Sequence, residues 1–204
     1  MRNVPVVAQG NRYVSGQNLR EVDEFRGLDV EAANILPAGE LVQRLNDVLA
    51  AAQRYLRQLP DDQMAQQLPR RPRSYRELTY HIFQITRAFL AVTREGELAY
   101  KSLVEASGDA LVSFADIADH GESARLELLA WWEATGVDTN FGATVATYYG
   151  PQTLHEALER TTWHTAQHVR QLLFVLEGLN IAPDGPLTEA DLAGLPLPRE
   201  VWDG

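Results

Sequence analysis

One segment of the chain repeats apolar residues at steps of three and four, the spacing of one face of a helix. Gly150-Pro151-Gln152-Thr153 begins this segment, and Gly178 or Leu179 ends it. The repeating positions are Leu154, Leu158, Thr161, His164, His168, Leu172, Val175 and Leu179. At about 1.5 Å per residue such a helix is about 40 Å long, enough for one wall of a bundle. Its apolar face requires further helices to cover it.

Three more helices are predicted upstream of this segment. Residues 37–59 form an amphipathic pattern, and Ser74-Tyr75-Arg76-Glu77 matches a capping box that opens a second helix to about Glu95. Residues 96–121 predict a long helical crossover, with breaks at Gly108 and at Asp119-His120-Gly121. Residues 122–134 form the third long helix. The sequence therefore predicts an all-α four-helix bundle with a long connection between helices two and three.

The two ends of the chain show different patterns. Val4-Pro5-Val6-Val7 and Arg12-Tyr13-Val14 predict a β-hairpin with a turn at residues 9–11, followed by a short helix from Asn18 to Gly27. The tail from 182 to 204 is rich in Pro, Gly and Asp and predicts one short helix near residues 188–193. We expect three parts: an extension at 1–35, the bundle at 36–180 and a tail at 181–204.

Composition excludes several classes of function. The chain has 204 residues, a net charge of -10 and a pI of about 4.9, so a nucleic-acid backbone or an anionic membrane surface is a poor partner. It contains no cysteine, which excludes disulfides, thiolate metal sites and a cysteine nucleophile. Residues 1–10 lack a secretory pattern, and no apolar stretch approaches the roughly 20 residues of a membrane span. We expect a cytoplasmic protein.

Three histidines occupy positions that packing would assign to leucine. His164 and His168 lie one turn apart on the inward stripe of the last helix, a natural pair of metal ligands. His81 stands on the stripe of the second helix, formed by Leu78, His81, Ile85, Phe89 and Val92. An unpaired buried polar ring costs about 1–3 kcal/mol, and one metal ion would compensate all three. The alternative is that each imidazole bonds a neighbouring carbonyl.

The remaining histidines fail this geometric test. His155 lies nine residues before His164, which turns it about 180° away on the same helix. His120 lies in a predicted glycine-flanked loop. Both are expected to face solvent.

Helical spacing places other side chains near the predicted site. Arg160, Thr161 and Gln171 share the His164 face. Arg160 can receive a carboxylate of a substrate or thiol cofactor, or else be a solvated arginine at the rim. Gln171 can orient His168. Glu77 can act as a general base or a fourth ligand, or else only as the capping-box partner.

The sequence resembles the DinB/YfiT-like metal-binding bundles over residues 36–180. The resemblance rests on Ser-Tyr-Arg-Glu-Leu-Thr-Tyr-His at 74–81, Gly-Pro-Gln-Thr-Leu at 150–154 and His-Thr-Ala-Gln-His-Val-Arg-Gln at 164–171. It implies metal ligation by His81, His164 and His168. The chain departs from many members at Gln167 and Val169-Arg170, where they carry another His and an Arg-Gly pair. Members are described as metal-dependent hydrolases, or as S-transferases and an isomerase that use thiols such as bacillithiol and mycothiol.

A shorter resemblance concerns the N-terminal 28 residues. Val4-Pro5-Val6-Val7, the Gly10-Asn11 turn, Arg12-Tyr13-Val14, Gly16 and Asn18-Leu19 are similar to the C-terminal part of a glutaredoxin. In glutaredoxins this segment binds glutathione, although the active-site cysteine has no counterpart here. The alternative is a hairpin that covers one end of the bundle or pairs with a partner chain.

Three imidazoles leave a coordination position open, as catalytic sites do. A zinc ion lowers the pKa of a coordinated water towards 7, and a metal ion deprotonates a coordinated thiol. Zinc, nickel and iron all suit imidazole ligands. Three functions follow: a glutathione-type S-transferase or isomerase, a metal-dependent hydrolase, and a non-catalytic metal-binding stress protein. A small-molecule substrate and a possible homodimer complete the prediction.

Overall fold

The computed structural model describes residues 6–9, 12–15, 22, 25, 35–69, 72–198 and 200–202. Four long helices dominate these residues: Ala38–Leu56 (α1), Tyr75–Glu95 (α2), Phe114–Ala134 (α4) and Leu154–Gly178 (α5). Two short helices, Tyr100–Val104 (α3) and Glu189–Leu192 (α6), lie in the crossover and in the tail. Turns of 3-10 helix occur at Asp61–Gln63 and Gly136–Asp138.

The long helices form a four-helix bundle, as predicted. Helix α1 packs on α4 and α5, and α2 packs on the same two helices, so α1 and α2 lie on one diagonal of the bundle. The core between them consists of apolar side chains from all four helices. Its largest fully buried members are Tyr55, Phe83, Phe89, Phe114 and leucine and isoleucine residues of α1 and α2. The contact between α2 and α5 determines the position of the predicted site.

Capping boxes begin three of the long helices. The predicted box at Ser74 and Glu77 is present at the start of α2, and Thr153 with Glu156 forms another at the start of α5. The first residue of α4 was predicted wrongly, because a box formed by Ser113 and Asp116 starts this helix eight residues before 122. Gly121 was expected to break the chain but lies within α4.

Gly121 lies inside helix α4 because the packing against α2 leaves no room for a side chain at this position. A Cβ atom at this position would overlap the ring of Phe83 in α2. The glycine therefore lets α4 approach α2 closely, and it does not end the helix.

A small sheet that the sequence analysis did not predict links the crossover to the start of α5. Strand Glu97–Leu98 (β3) pairs in parallel with Thr144–Thr147 (β4), which pairs antiparallel with Gln152–Thr153 (β5). The backbone N–H of Tyr148 donates to Leu98 O at 3.1 Å. The loop between β4 and β5 is thereby held against the crossover.

The predicted N-terminal hairpin is present. Strands Val6–Gln9 (β1) and Arg12–Ser15 (β2) pair antiparallel, with Gln9 opposite Arg12. Most of the helix predicted from Asn18 to Gly27 lies outside the described residues, of which Val22 and Phe25 are helical.

The C-terminal tail packs along α1. Arg54, Tyr55 and Gln58 bond the backbone of residues 182–187, and Arg44 donates to the carbonyls of Ala190 and Asp191. Helix α6 coincides with the short helix predicted near residue 188. Within the described part of the chain, no helix is both long and apolar enough to cross a membrane.

Candidate metal centre

The structure brings His81, His164 and His168 together between α2 and α5. One ring nitrogen of each lies within 4.8 Å of those of the other two. The ring centroids are 5.6 Å apart for His81 and His164, 5.0 Å for His81 and His168, and 4.7 Å for His164 and His168. Three imidazoles from two helices are thus placed so that they could hold one metal ion.

The two histidines of α5 face each other through the same ring atom. Their Nε2 atoms are 3.1 Å apart, because residues four positions apart lie one turn above each other on one face. Two Zn–N bonds of about 2.0–2.1 Å at the tetrahedral angle put their nitrogens about 3.4 Å apart. The observed separation is close to the spacing that a shared ion requires.

Hydrogen bonds around Gln171 determine which ring nitrogen of His168 carries the proton. Gln171 Nε2 donates to Val201 O at 3.2 Å, which leaves its Oε1 facing His168 Nδ1 at 2.8 Å. A carbonyl oxygen can only accept, so Nδ1 is the protonated atom of a neutral His168. Its Nε2 then presents a lone pair towards His164, as a metal ligand must.

Burial keeps the other two imidazoles neutral. Removal from water lowers the pKa of His81 and of His164 well below the usual value, and the neighbouring His168 lowers both further. The charges of Arg73 and Arg160 act in the same direction, whereas a hydrogen bond to the Leu103 backbone raises the pKa of His81. Neutral rings keep the lone pairs that coordination uses.

The donor set fits a divalent transition metal. An ion shared by His164 and His168 would use the two Nε2 atoms that face each other, whereas the buried Nδ1 of His164 has no hydrogen-bond partner among the described residues with or without that ion. Within the same residues the cluster contains only histidine, and the chain has no cysteine. Imidazole ligands suit zinc, nickel and iron, and three of them leave at least one coordination position for another molecule.

Arg160 lies one turn before His164 and is buried, with 7% of its surface exposed. The alternative of a solvated arginine at the rim is therefore wrong. Its guanidinium donates to Tyr148 Oη at 3.1 Å and lies 4.8 Å from the ring centroid of Tyr149. Burial raises the pKa of both tyrosines, and the arginine charge partly offsets this. The two hydroxyls therefore remain protonated.

Two other residues named from the sequence lie outside the histidine cluster. Thr161 is buried, but its hydroxyl donates to Ala157 O at 2.8 Å within its own helix. Glu77 is exposed and accepts from the backbone and the hydroxyl of Ser74 at 2.6 and 2.7 Å. These bonds lower the pKa of Glu77 and keep its carboxylate in the capping box. In this arrangement Glu77 is a capping residue and not a ligand.

The expectation that His155 and His120 face solvent is wrong for both. His155 is half-buried, and its Nε2 lies 3.0 Å from Leu36 O. His120 is half-buried within α4 and stacks on Tyr80, with ring centroids 5.5 Å apart. The spacing along the helix correctly predicted that His155 points away from His164. The segment before α1, however, covers the side of the helix to which His155 points.

Sequence reasoning missed several residues around the histidines. Tyr148 and Tyr149 form an aromatic pair next to Gly150, and that pair in a loop at a helix start was the available signal. Arg73 directly precedes the N-cap of α2, where its charge is felt by His81. Val201 contributes a backbone carbonyl, for which the sequence carries no signal.

The fold and this cluster define a helical bundle with a candidate three-histidine metal site between two of its helices. The family model of the DinB superfamily matches residues 44–172, more than half of the chain, and this range includes all three histidines. The protein belongs to the DinB superfamily. No curated protein and no solved structure gave a significant match.

Proposed function

We propose that the protein is a metal-dependent enzyme that transfers or isomerises groups carried by a low-molecular-weight thiol of the glutathione type. The observation that carries the proposal is the convergence of three histidine nitrogens within 4.8 Å of one another. Membership of the DinB superfamily supports it, because the family that the chain resembles includes thiol-dependent S-transferases and an isomerase.

The residues have separate roles in this proposal. His81, His164 and His168 hold the ion, and Gln171 keeps the Nε2 lone pair of His168 directed towards it. A divalent ion, when bound, supplies a Lewis acid that makes a coordinated thiol or water more acidic. Because the three ligands are neutral, they do not reduce the positive charge that stabilises an anion at the site.

The charged neighbours favour a thiol over water as the group that is activated. Arg73 and Arg160 both act on the imidazoles, so an anionic small molecule is attracted to the site. Glutathione carries carboxylates in addition to its sulfur, whereas water offers no second group for an arginine to bind.

Hydrolysis is the second candidate function. Three histidines with an open position are also the donor set of zinc sites that activate water. Kinetic measurements distinguish hydrolysis from thiol transfer. A hydrolase should turn over esters or amides without added thiol, with a rate that rises through an apparent pKa near 7.

The first experiment is elemental analysis of the purified protein and of three variants. His164→Ala and His168→Ala should each lose most of the metal, because two imidazoles rarely retain what three hold. His155→Gln is the matched control, since it removes a half-buried histidine of the same helix that lies outside the cluster. Full metal content in the two alanine variants would contradict the metal site.

The second experiment tests what the metal does. Cobalt(II) replaces the native ion, and glutathione is added while the visible spectrum is followed. A sulfur-to-cobalt charge-transfer band that is absent from His164→Ala supports thiol activation. If neither glutathione nor a smaller thiol changes the spectrum, the transferase proposal is wrong. A metal that the protein alone coordinates fully would instead indicate a non-catalytic role.

A further inference from the structure

A buried arginine shares a helix face with the histidine cluster. Arg160 lies four residues before His164 in α5, so its side chain leaves the helix about 6 Å further along the same face. It is 7% exposed. A guanidinium is always charged, and placing it in a poorly hydrated site has a cost that specific contacts must offset.

Two tyrosines of the loop between β4 and β5 contact this guanidinium. Its Nη2 donates to Tyr148 Oη at 3.1 Å, and its carbon lies 4.8 Å from the ring centroid of Tyr149. Tyr148 contacts Tyr149 edge to face, with centroids 4.9 Å apart, and contacts Tyr100 at 5.3 Å. The unpredicted sheet holds this arrangement, because Tyr148 N bonds Leu98 O beside Tyr100. The orientation of Arg160 is therefore set before any ligand arrives.

An oriented guanidinium beside a metal site is suited to a carboxylate. The N–H groups of a guanidinium match the two oxygens of a carboxylate, and stacking on an aromatic face does not itself use those N–H groups. Arg160 lies one helical turn from His164, so its charge is close to the centre. The protein as a whole has a net charge of -10, so this positive region is local and does not follow from composition.

We infer that Arg160, Tyr148 and Tyr149 bind a carboxylate of the same small molecule whose sulfur reaches the three-histidine centre. The inference rests on the proposed function and narrows it to thiols that carry a carboxylate a few bonds from sulfur. One helical turn, a rise of about 6 Å, separates the backbone positions of Arg160 and His164, so the carboxylate and the sulfur of the ligand should be only a few bonds apart. Tyr148 and Tyr149 hold the guanidinium in place, and Arg160 contacts the ligand.

Two thiols that differ in the carboxylate test this inference. The cobalt(II) protein is titrated with 3-mercaptopropionate and with 2-mercaptoethanol at pH 7, and the charge-transfer band gives each dissociation constant. Hydrogen bonds to a charged group contribute about 1.5–3 kcal/mol, so the carboxylate should tighten binding by about ten- to a hundredfold. A series from mercaptoacetate to 4-mercaptobutyrate should show a maximum at one chain length.

Variants test the contribution of Arg160 to carboxylate binding separately from that of the histidines. Arg160→Gln should weaken the binding of 3-mercaptopropionate far more than that of 2-mercaptoethanol and so abolish the preference, and Arg160→Lys should keep only part of it. Tyr148→Phe should reduce it, because the guanidinium loses the hydrogen bond to Tyr148 Oη. Arg87→Gln is the matched control: it removes the same charge from an arginine that pairs with Glu127, and the preference should stay intact.

A measurement without metal or thiol distinguishes the carboxylate site from the thiol chemistry proposed at the metal. Propionate is added to the metal-free protein, and the Nε–Hε signal of Arg160 is followed by NMR, assigned by its absence in Arg160→Lys. A saturable shift of this signal supports the carboxylate site even if no thiol binds cobalt. Equal affinities for the two thiols together with no propionate effect would overturn the inference while leaving the metal site intact.

Discussion

Gln171 donates a hydrogen bond from Nε2 to the backbone carbonyl of Val201 at 3.2 Å. The same amide accepts from His168 Nδ1, so the C-terminal segment is connected to a candidate metal ligand through one side chain. Gln167 also donates to Val201 O, at 2.7 Å, and Trp202 packs edge to face on Phe174. The tail therefore holds Gln171 in the orientation that His168 needs.

Replacing Gln171 should weaken metal binding more than it weakens the fold. Gln171→Met has a similar volume but cannot accept from His168, which frees the imidazole to rotate or change tautomer. Partners of this kind typically contribute about 10–100-fold to metal affinity. The measurement is competition for zinc with a chromophoric chelator. Gln167→Met is the control, since it loses contacts to the same tail without touching His168, and an equal loss in both variants would contradict the role of Gln171.

Removing the tail beyond Pro198 should weaken zinc binding less than Gln171→Met does. The deletion takes away Val201 O and lets the Gln171 amide turn over, although Gln171 itself remains. We expect about a tenfold loss of zinc affinity, the lower end of the range for such partners. Unfolding by urea checks that the bundle persists. An unchanged zinc affinity would show that the tail does not contribute to the orientation of the Gln171 amide.

The metal-free protein should lose stability in acid through its histidines. The pKa of His81 and of His164 is lowered in the folded state, so the unfolded chain binds protons first as the pH falls below about 6.5. The free energy of unfolding should then decrease by up to about 1.4 kcal/mol per pH unit for each histidine. Well above pH 6.5 these histidines are neutral in both the folded and the unfolded chain, so the lowered pKa values do not change the free energy of unfolding.

Urea denaturation between pH 5 and 8 measures this dependence. His164→Gln should have a shallower slope below pH 6.5 than the unchanged protein, because one of the shifted groups is gone. Saturating zinc should stabilise the protein at pH 7 and lose its effect in acid, since protons compete for the same nitrogens. A slope that is the same with and without His164 would contradict the assignment.

A methyl group at position 121 should destabilise the bundle. Gly→Ala in a helix normally stabilises by about 1 kcal/mol, but here the Cβ would meet the ring of Phe83 in a packed core. We expect Gly121→Ala to cost about 1–3 kcal/mol, the usual range for overpacking. Gly178→Ala is the control, because among the described residues no atom outside its own stretch of helix lies within 4 Å of its added Cβ. Thermal unfolding of the two variants should shift in opposite directions or leave Gly178→Ala unchanged.

Periodicity along the chain was enough to predict the bundle and its three inward histidines. A helix presents every third and fourth residue to one side, so the apolar stripes of α2 and α5 identify the positions that face the interior. The predicted capping box at Ser74 is local as well, since it depends on residues three apart. These features follow from bonds and contacts within one turn of helix.

Tertiary structure decided everything that depends on chain segments distant in sequence. The start of α4 was misplaced because Gly121 was interpreted as a break, and only the Phe83 ring opposite explains that glycine. His155 was expected to be solvated because helical arithmetic does not show which other segment covers a face. The burial of Arg160 against two tyrosines requires the sheet between the crossover and β5. The sequence determined which side chains face inward, whereas their neighbours were decided by packing between segments that no local pattern encodes.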